Sequence, residues 1–235
     1  QPGGCAGPLE GPDDGPKIDE ALLEQALEHV RTGVMAPLVT DMRAQLGSLE
    51  AAVEGWAAAP NDPAATEAAR VAFVSAVEQW AVLDALQVGP SASLLSGQVG
   101  AQDLRDAIYS WPAVNPCRVD QETVYGTYGS PTFFEEQRVN VYGFDALEQL
   151  LYLGPENACP DTVDVNTDGS WMALGVDLQQ ARADYAVAVV GQLDRDVRAL
   201  ESAWSGAYGD DFVGGKGSFE SREEALGDLF LSAFY

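Results

Sequence analysis

Two acidic residues three positions apart, Asp145 and Glu148, are the first residues in this sequence whose types and spacing could do chemistry. Residues three apart on a helix are neighbours on one face, so both carboxylates can reach a single cation. Metal sites in helical bundles use this spacing, and Gly143 lets a ligand or another helix approach the backbone closely. The alternative is a solvated acidic face, which is the more common use of such a pair. Against that alternative, the pair lies beside an apolar stripe of Phe144, Leu147 and Leu151.

A second candidate cation site follows further along the chain. Asp164, Asn166 and Asp168, with a glycine directly after them, match the first half of a calcium-binding loop. In such a loop alternate oxygens surround a hard cation and the glycine allows a sharp turn. The match is incomplete, because the twelfth loop position should be a bidentate glutamate and is Gly175. The alternative is that these residues form Asx turns and cap the helix that follows.

The sequence offers little for other catalytic chemistry. His29 is the single histidine, and it has no nearby Ser or Cys that would form a catalytic triad with it. A surface or boundary position is the simpler interpretation of this residue. The glycine-rich residues 214–217 lack the spacing, and the Ser or Thr after Lys, that a phosphate-binding loop requires. We interpret them as a flexible connection.

The composition restricts the possible partners. Lys and Arg total 12 against 37 Asp and Glu, which gives a formal net charge of −25 over 235 residues. Such a surface repels nucleic acid and anionic membranes and attracts metal cations or basic partners. Hydrophobic residues make up 46% of the chain, so a packed core is possible and a disordered chain is excluded. No apolar run approaches the ~20 residues that span a bilayer.

The three cysteines are Cys5, Cys117 and Cys159. Cys117 and Cys159 both lie in loop-like surroundings that favour a disulfide formed in an oxidising compartment. No Cys-x-x-Cys or Cys/His cluster indicates zinc. Cys5 is consistent with a lipid anchor, with a plain tether residue, or with a thiol that pairs elsewhere.

The elements that must position these residues are predicted to be helical throughout. Residues 1–16 are rich in Gly, Pro and Asp and predict a flexible tether. Asp19 is a predicted N-cap, and Gly33 and Pro37 are predicted to kink or break the first long helix. Pro63 is predicted in the first turn of the second long helix.

Helical spacing then returns in four more segments, and strand-like alternation is scarce. We interpret the chain as all-α and built from antiparallel helical bundles. Residues 112–131 are predicted to be a loop. The four helical segments are residues 101–111, residues 132–153, residues 175–204, and a last helix from Ser221 that reaches the apolar end of the chain.

Residues 143–152, GFDALEQLLY, resemble the imelysin-like family, whose hallmark is G-x-H-x-x-E followed by an apolar, aromatic-rich helix end. Three other segments resemble the family in order and spacing. They are residues 76–80 (AVEQW), residues 108–112 (IYSWP), and the long helix from residues 182–185 (RADY) to 200–204 (LESAW).

The resemblance implies two four-helix-bundle domains with a site between them that contains the motif. We therefore expect a first bundle over residues 17–130 and a second over 131–235. The second bundle is expected to be incomplete in this chain, because the chain ends on an apolar segment. The resemblance also implies a periplasmic or cell-surface protein, often a lipoprotein, associated with iron uptake. Some members were named as insulin-cleaving metallopeptidases.

Residue by residue, Gly143 and Glu148 match the family motif, and Asp145 replaces its histidine. An oxygen ligand in place of an imidazole shifts the metal preference toward ferric iron, calcium or manganese and away from zinc. The change also removes the residue on which a peptidase would depend. We expect Ser110 and Arg138 to line the site. Arg138, seven residues before Asp145, is predicted two turns earlier on the same helix face.

Three hypotheses follow. The first is an envelope protein that binds a metal ion or an iron-related ligand through Asp145 and Glu148, with other envelope uptake components as possible partners. The second is a structural or partner-binding module with a degenerate site. The third is a metallopeptidase, which the replacement of the motif histidine disfavours.

Overall fold

The computed structural model describes residues 18–232, and within this range the chain is all-α with no β-strand. The predicted tether and Cys5 lie outside the described residues. The helices are α1 Glu20–His29, α2 Ala36–Ala58, α3 Pro63–Asp84, α4 Leu104–Ile108, α5 Pro116–Tyr125, α6 Phe133–Glu136, α7 Gly143–Tyr152, α8 Asp164–Thr167, α9 Ser170–Leu174, α10 Leu178–Ser205, α11 Ala207–Gly214 and α12 Arg222–Ser232.

The N-terminal helices follow the local sequence signals. The Asp19 side chain caps α1 by accepting hydrogen bonds from the backbone N–H groups of Ala21 and Leu22. The predicted interruption near Gly33 and Pro37 is a π-helical segment, Val30–Met35, through which the chain stays helical into α2. The ring of His29 lies over Gly33, and a Cβ at position 33 would lie 2.7 Å from it, so a larger residue there requires this exposed ring to turn away.

Three long helices form the centre of the fold. α2 packs against both α3 and α10, and the motif helix α7 packs against α10 and α3. Each long helix buries one apolar stripe, for example Met42, Leu46, Leu49, Val53 and Trp56 on α2. The core that results is one continuous hydrophobic cluster that extends from Leu23 to Ala225. It contains residues from both predicted bundle regions, whose division at residue 130 stays a prediction.

The prediction of a loop over residues 112–131 is wrong, because α5 occupies Pro116–Tyr125. Its signals were present: the Asn115 side chain accepts from the N–H of Arg118, Pro116 opens the helix, and Gly126 ends it at φ 67°. The helix contains few apolar residues and buries the polar residues Asp120, Glu122 and Thr123. Periodicity of apolar residues alone therefore missed it.

The single helix predicted over residues 132–153 is also wrong. The chain there forms the short helix α6, a 3₁₀ turn at Val139–Val141, and then α7. The helix ends after Glu136, where Gln137 and Arg138 have extended backbone with ψ of 160° and 157°, and Tyr142 is extended again before Gly143 begins α7 at φ +81°. Apolar residues on both sides of the break continue the helical spacing, so the pattern alone looked unbroken.

Other helix ends differ by a few residues. The segment predicted at 101–111 is helical only at Leu104–Ile108, and the long helix begins at Leu178 after a 3₁₀ turn. α11, directly after α10, was not predicted as a separate helix. The predicted disulfide between Cys117 and Cys159 is confirmed. No helix between residues 18 and 232 is long and apolar enough to cross a membrane.

Candidate ligand site on the motif helix

Gly143 sets the position of α7 against α4. A Cβ at this glycine would lie 2.9 Å from the carbonyl oxygen of Ile108 and 3.0 Å from that of Ala107. Any other residue would therefore clash with the backbone at the end of α4, besides paying the cost of a positive φ. The first turn of α7 lies directly against the Ser110-Trp111-Pro112 segment as a result.

Asp145 lies in this first turn and is buried, with 2% of its surface exposed. Its Oδ2 is 2.7 Å from the hydroxyl of Ser110, which is also buried. Oδ1 of Asp145 is buried as well, and it has no hydrogen-bond partner in the described part of the chain. The predicted proximity of Ser110 and Asp145 is therefore found, in the form of a direct hydrogen bond.

The Ser110 hydroxyl lies between two acceptors. It is 3.2 Å from the carbonyl oxygen of Val139 and 2.7 Å from Oδ2 of Asp145, but it has one proton to donate. The hydroxyl therefore donates to one of these two oxygens at a time. Burial raises the pKa of the Asp145 carboxyl, the nearby Glu148 raises it further, and the hydroxyl and backbone N–H of Ser110 oppose the shift.

Glu148 is exposed on the outer face of α7, and its side chain forms no hydrogen bond or ion pair with any residue between 18 and 232. The two motif acids thus differ in environment, since Asp145 faces the core and Glu148 faces solvent. The charges of Asp145 and Glu148 both act on the side chain of Tyr109. Burial raises the pKa of the Tyr109 phenol, and the charges of Asp145, Glu148 and Asp84 raise it further. Tyr109 was not among the predicted site residues, although it stands next to Ser110 in the sequence.

Arg138 is not where the sequence predicted it. It precedes the 3₁₀ turn at Val139–Val141, lies outside α7, and is exposed. Its side chain forms no hydrogen bond or ion pair within the described range, so it does not orient Asp145. The physical reason is the extended backbone at Arg138 itself and at Tyr142, which interrupts the helical register between Arg138 and Asp145.

The predicted calcium loop forms a helical turn, α8, and its three side chains have different neighbours. Asp164 accepts from Gln121 at 2.9 Å and from the Tyr125 hydroxyl at 2.6 Å. Asn166 exchanges hydrogen bonds with the side-chain amide of Asn157, and Asp168 accepts from the N–H of Ser170 at the start of α9. The contact of Asp168 is an Asx turn, as in the alternative interpretation, but no side chain of this segment caps α9 or α10.

A buried arginine that the sequence analysis did not select supports the other end of α7. Nη1 of Arg182 donates to the carbonyl oxygens of Leu153 and Gly154, at 3.0 and 2.8 Å. These carbonyls directly follow the last turn of α7, where a cation is favourable. The sequence indicates the burial of Arg182, because it lies one helical turn from the buried residues Leu178 and Tyr185 and so shares their face of α10.

Arg182 is itself held by α5. Its Nη2 lies 3.9 Å from Asp120, and both side chains are 1% exposed. Asp120 accepts from the N–H of Ala158 at 2.7 Å, and the neighbouring Cys159 is bonded to Cys117 at the start of α5. The disulfide and the ion pair together tie the segment after α7 to α5.

The family model Peptidase_M75, described as Imelysin, matches residues 37–232. The chain belongs to the imelysin family. A solved imelysin-like protein from Psychrobacter arcticum 273-4 has the same fold, with a TM-score of 0.65 and 15% sequence identity. The match covers 92% of this chain and 60% of that one, so this imelysin chain spans three fifths of the length of its structural relative. No curated protein matches the sequence.

Proposed function

We propose that this imelysin-family chain belongs to an exported protein, in the periplasm or at the cell surface, that binds a metal ion for iron or metal uptake. Asp145 and Glu148 supply the ligands. The observation that carries the proposal is the buried Oδ1 of Asp145, which has no partner among the described residues, one helical turn from the exposed carboxylate of Glu148. A cation between them would give that oxygen the partner it lacks.

The donors fit a hard cation in type. Both are carboxylates, which suit iron(III), calcium or magnesium better than zinc. Residues 18–232 contain no group of three His, Cys, Asp or Glu side chains placed to hold a metal. The proposal therefore needs further oxygen ligands from water, from other residue types, or from outside the described range. Net charge favours the encounter, because a chain of −25 attracts cations.

A peptidase is not proposed. Hydrolysis by a bound metal needs an open coordination position and a base that activates water. The histidine of the family motif is replaced by Asp145, and His29, on α1, packs its ring over Gly33. Neither arrangement supplies the nitrogen ligands on which such a site depends.

Calorimetric titration of chelator-treated protein with ferric nitrilotriacetate, calcium, zinc and copper tests the proposal. We expect saturable binding of a hard cation at one site. Asp145→Asn and Glu148→Gln should each weaken it, whereas Glu54→Gln, which removes an exposed carboxylate from α2, should leave it unchanged. The proposal is wrong if no metal binds saturably, or if both site variants bind the metal as tightly as the unmodified protein does.

The second candidate is a structural or partner-binding module with a degenerate site. The observation that favours it is the hydrogen bond between Ser110 and Asp145, which joins the segment after α4 to α7 whether or not a metal is present. Under this alternative Asp145→Asn lowers the free energy of unfolding, while the unmodified protein shows no saturable binding of any of the four metals.

A further inference from the structure

A surface groove with a volume of about 600 Å³ lies between α10 and the segment from Tyr128 to Glu135. This volume falls within the range of ~300–1,000 Å³ that is typical of small-molecule sites. On the α10 side the groove is formed by Val187, Ala188 and Gly191, whose short side chains leave room above the helix. The two acids of the proposed metal site do not line this groove, so it is a separate candidate site.

Two aromatic rings line the opposite wall of the groove, and other residues hold both of them in place. The Tyr128 ring stacks on Tyr185, with ring centres 4.6 Å apart and planes at 8°, and its hydroxyl donates to the carbonyl oxygen of Ala181. Phe134 meets Tyr142 edge to face, with centres 5.7 Å apart. Because these rings are already fixed, they lose little conformational entropy when a ligand binds. The wall is therefore preorganised for a flat apolar group.

Arg195 brings a positive charge to the same groove. Its guanidinium carbon lies 5.6 Å from the centre of the Phe134 ring, and its Nη1 lies 3.9 Å from the point that a Cβ on Gly191 would occupy. The side chain therefore folds back along α10 over the floor of the groove. Nε and Nη2 both donate to Oε1 of Gln192, at 3.0 and 2.7 Å. Nη1 forms no hydrogen bond with any residue from 18 to 232, so its N–H groups can bind a ligand.

The guanidinium of Arg195 is held by an amide and not by a carboxylate. The NH2 group of Gln192 donates to Oδ1 of the buried Asp196 at 2.7 Å, so the amide oxygen is left to face Arg195. Most arginines in the described part of the chain form an ion pair with a carboxylate, and Arg195 does not. In a chain of net charge −25, this cation is thus available to an anion from outside.

We propose that the groove binds an aromatic monocarboxylate, with its ring against Tyr128 and Phe134 and its carboxylate on Nη1 of Arg195. A guanidinium N–H forms a charge-assisted hydrogen bond with a carboxylate, which is stronger than a bond between neutral groups. The exposed Glu135 also lines the groove, and its charge disfavours a second anionic group on the ligand. The site thus selects one negative charge beside a flat apolar body.

Calorimetric titration of chelator-treated protein with 2-naphthoate and indole-3-acetate tests the proposal without any contribution from a bound metal. We expect saturable binding at one site, and binding at least about tenfold weaker for 2-naphthamide, the uncharged analogue. Arg195→Gln should weaken the binding of 2-naphthoate by a similar factor. Arg198→Gln is the matched control, since Arg198 is an exposed arginine on the same helix that is paired with Asp194, and it should keep the affinity.

Gly191→Leu tests whether the ligand occupies the groove itself. A Cβ at position 191 meets only Nη1 of Arg195, at the ordinary contact distance of 3.9 Å. Leucine also favours a helix more than glycine does, so the fold should be retained. The leucine side chain should fill the groove and abolish the binding of 2-naphthoate, while the circular dichroism spectrum stays unchanged.

The proposal is overturned if neither carboxylate binds saturably, if 2-naphthamide binds as tightly as 2-naphthoate, or if Arg195→Gln and Arg198→Gln bind equally well. Binding of 2-naphthoate that persists in Gly191→Leu, or that requires an added metal, places the ligand elsewhere and overturns it as well. None of these outcomes contradicts the metal-binding proposal, which is tested by titration with the metals alone.

Discussion

The Ser110 hydroxyl lies 2.7 Å from Oδ2 of Asp145, and this buried hydrogen bond joins residues that are 35 positions apart in the chain. Ser110 follows α4 and Asp145 lies in the first turn of α7, so the bond fixes the start of the motif helix to the segment before it. Asp145 occupies the position of the histidine in the family motif. This imelysin-family chain therefore buries a carboxyl group at the position that the resemblance assigns to a histidine.

Ser110→Ala should lower the free energy of unfolding by about 1–3 kcal/mol, because it removes the hydroxyl that donates either to Oδ2 of Asp145 or to the carbonyl oxygen of Val139. Urea denaturation monitored by circular dichroism measures the effect. Ser48→Ala, an exposed serine whose hydroxyl bonds to its own helix backbone, is the control and should change the free energy by less. Equal effects of the two substitutions would contradict a structural role for the Ser110–Asp145 contact.

Asp145→His restores the family motif and should change the metal preference. An imidazole is a borderline nitrogen ligand, so affinity for zinc or copper should rise relative to that for iron(III) or calcium. The larger ring must also fit a site that is 2% exposed, which should cost about 1–3 kcal/mol of stability. Calorimetric titration of this variant with the four metals gives the order of affinities. An order identical to that of the unmodified protein would show that position 145 does not contact the metal.

Asp196 should make stability depend on pH. Burial raises the pKa of this carboxyl from 3.8 to about 6, against smaller opposing effects of Gln192 and Arg195. The folded state holds the Asp196 proton more tightly than the unfolded state does. The stabilisation that results is complete below about pH 4 and is lost as the pH rises to about 6. The loss amounts to about 3 kcal/mol. Asp196→Asn removes the titration, so its stability relative to the unmodified protein should increase over this pH range.

The measurement for Asp196 is the free energy of unfolding in urea at several pH values from 4 to 7. Gln192→Leu is the comparison variant, because the Gln192 side chain donates to Oδ1 of Asp196 at 2.7 Å and lowers its pKa. Loss of this hydrogen bond should raise the pKa of Asp196, so the pH-dependent loss of stability should move to higher pH. A difference between Asp196→Asn and the unmodified protein that stays constant across the range would refute the assignment.

Arg182 and Asp120 should show strong coupling in a double-mutant cycle. Burial raises the pKa of Asp120 despite the opposing effects of the Ala158 N–H and Arg182, so desolvation outweighs the attraction at 3.9 Å. Arg182→Met leaves the carboxylate buried without a cation and should cost about 3–5 kcal/mol. Arg182→Met/Asp120→Asn should cost less than the sum of the single variants. Additive costs, measured by urea denaturation, would show that the two residues act independently.

The disulfide should stabilise the region that contains the motif helix. Cys117 and Cys159 are 42 positions apart and enclose all of α7. In the chain-entropy description, closing a loop of this length contributes about 4 kcal/mol. Reduction, or Cys117→Ser/Cys159→Ser, should lower the urea midpoint and accelerate amide hydrogen exchange in α7 more than in α3. The double variant should be insensitive to reductant. An unchanged midpoint after reduction would contradict this contribution.

Several features of the protein could be read directly from its sequence. The all-α fold follows from the 3.6-residue spacing of apolar residues in α2, α3 and α10. The cap at Asp19, the first-turn position of Pro63, the pairing of the two cysteines and the family motif follow from residue types at fixed offsets. These signals act over a few residues, or are carried by rare residue types, and distant packing does not change them.

Only the tertiary structure decided what the motif residues do. Apolar spacing continues through residues 132–153, but the helix breaks between α6 and α7, where the backbone of Arg138 and Tyr142 is extended. The carbonyl groups of α4 leave room for nothing larger than Gly143 at the start of α7. This break removes Arg138 from the site, and packing turns Asp145 toward Ser110 while Glu148 faces solvent. A sequence pattern identifies a shared helix face. Burial and hydrogen-bond partners depend on segments far away in the chain, and those contacts exist only once the helices have packed.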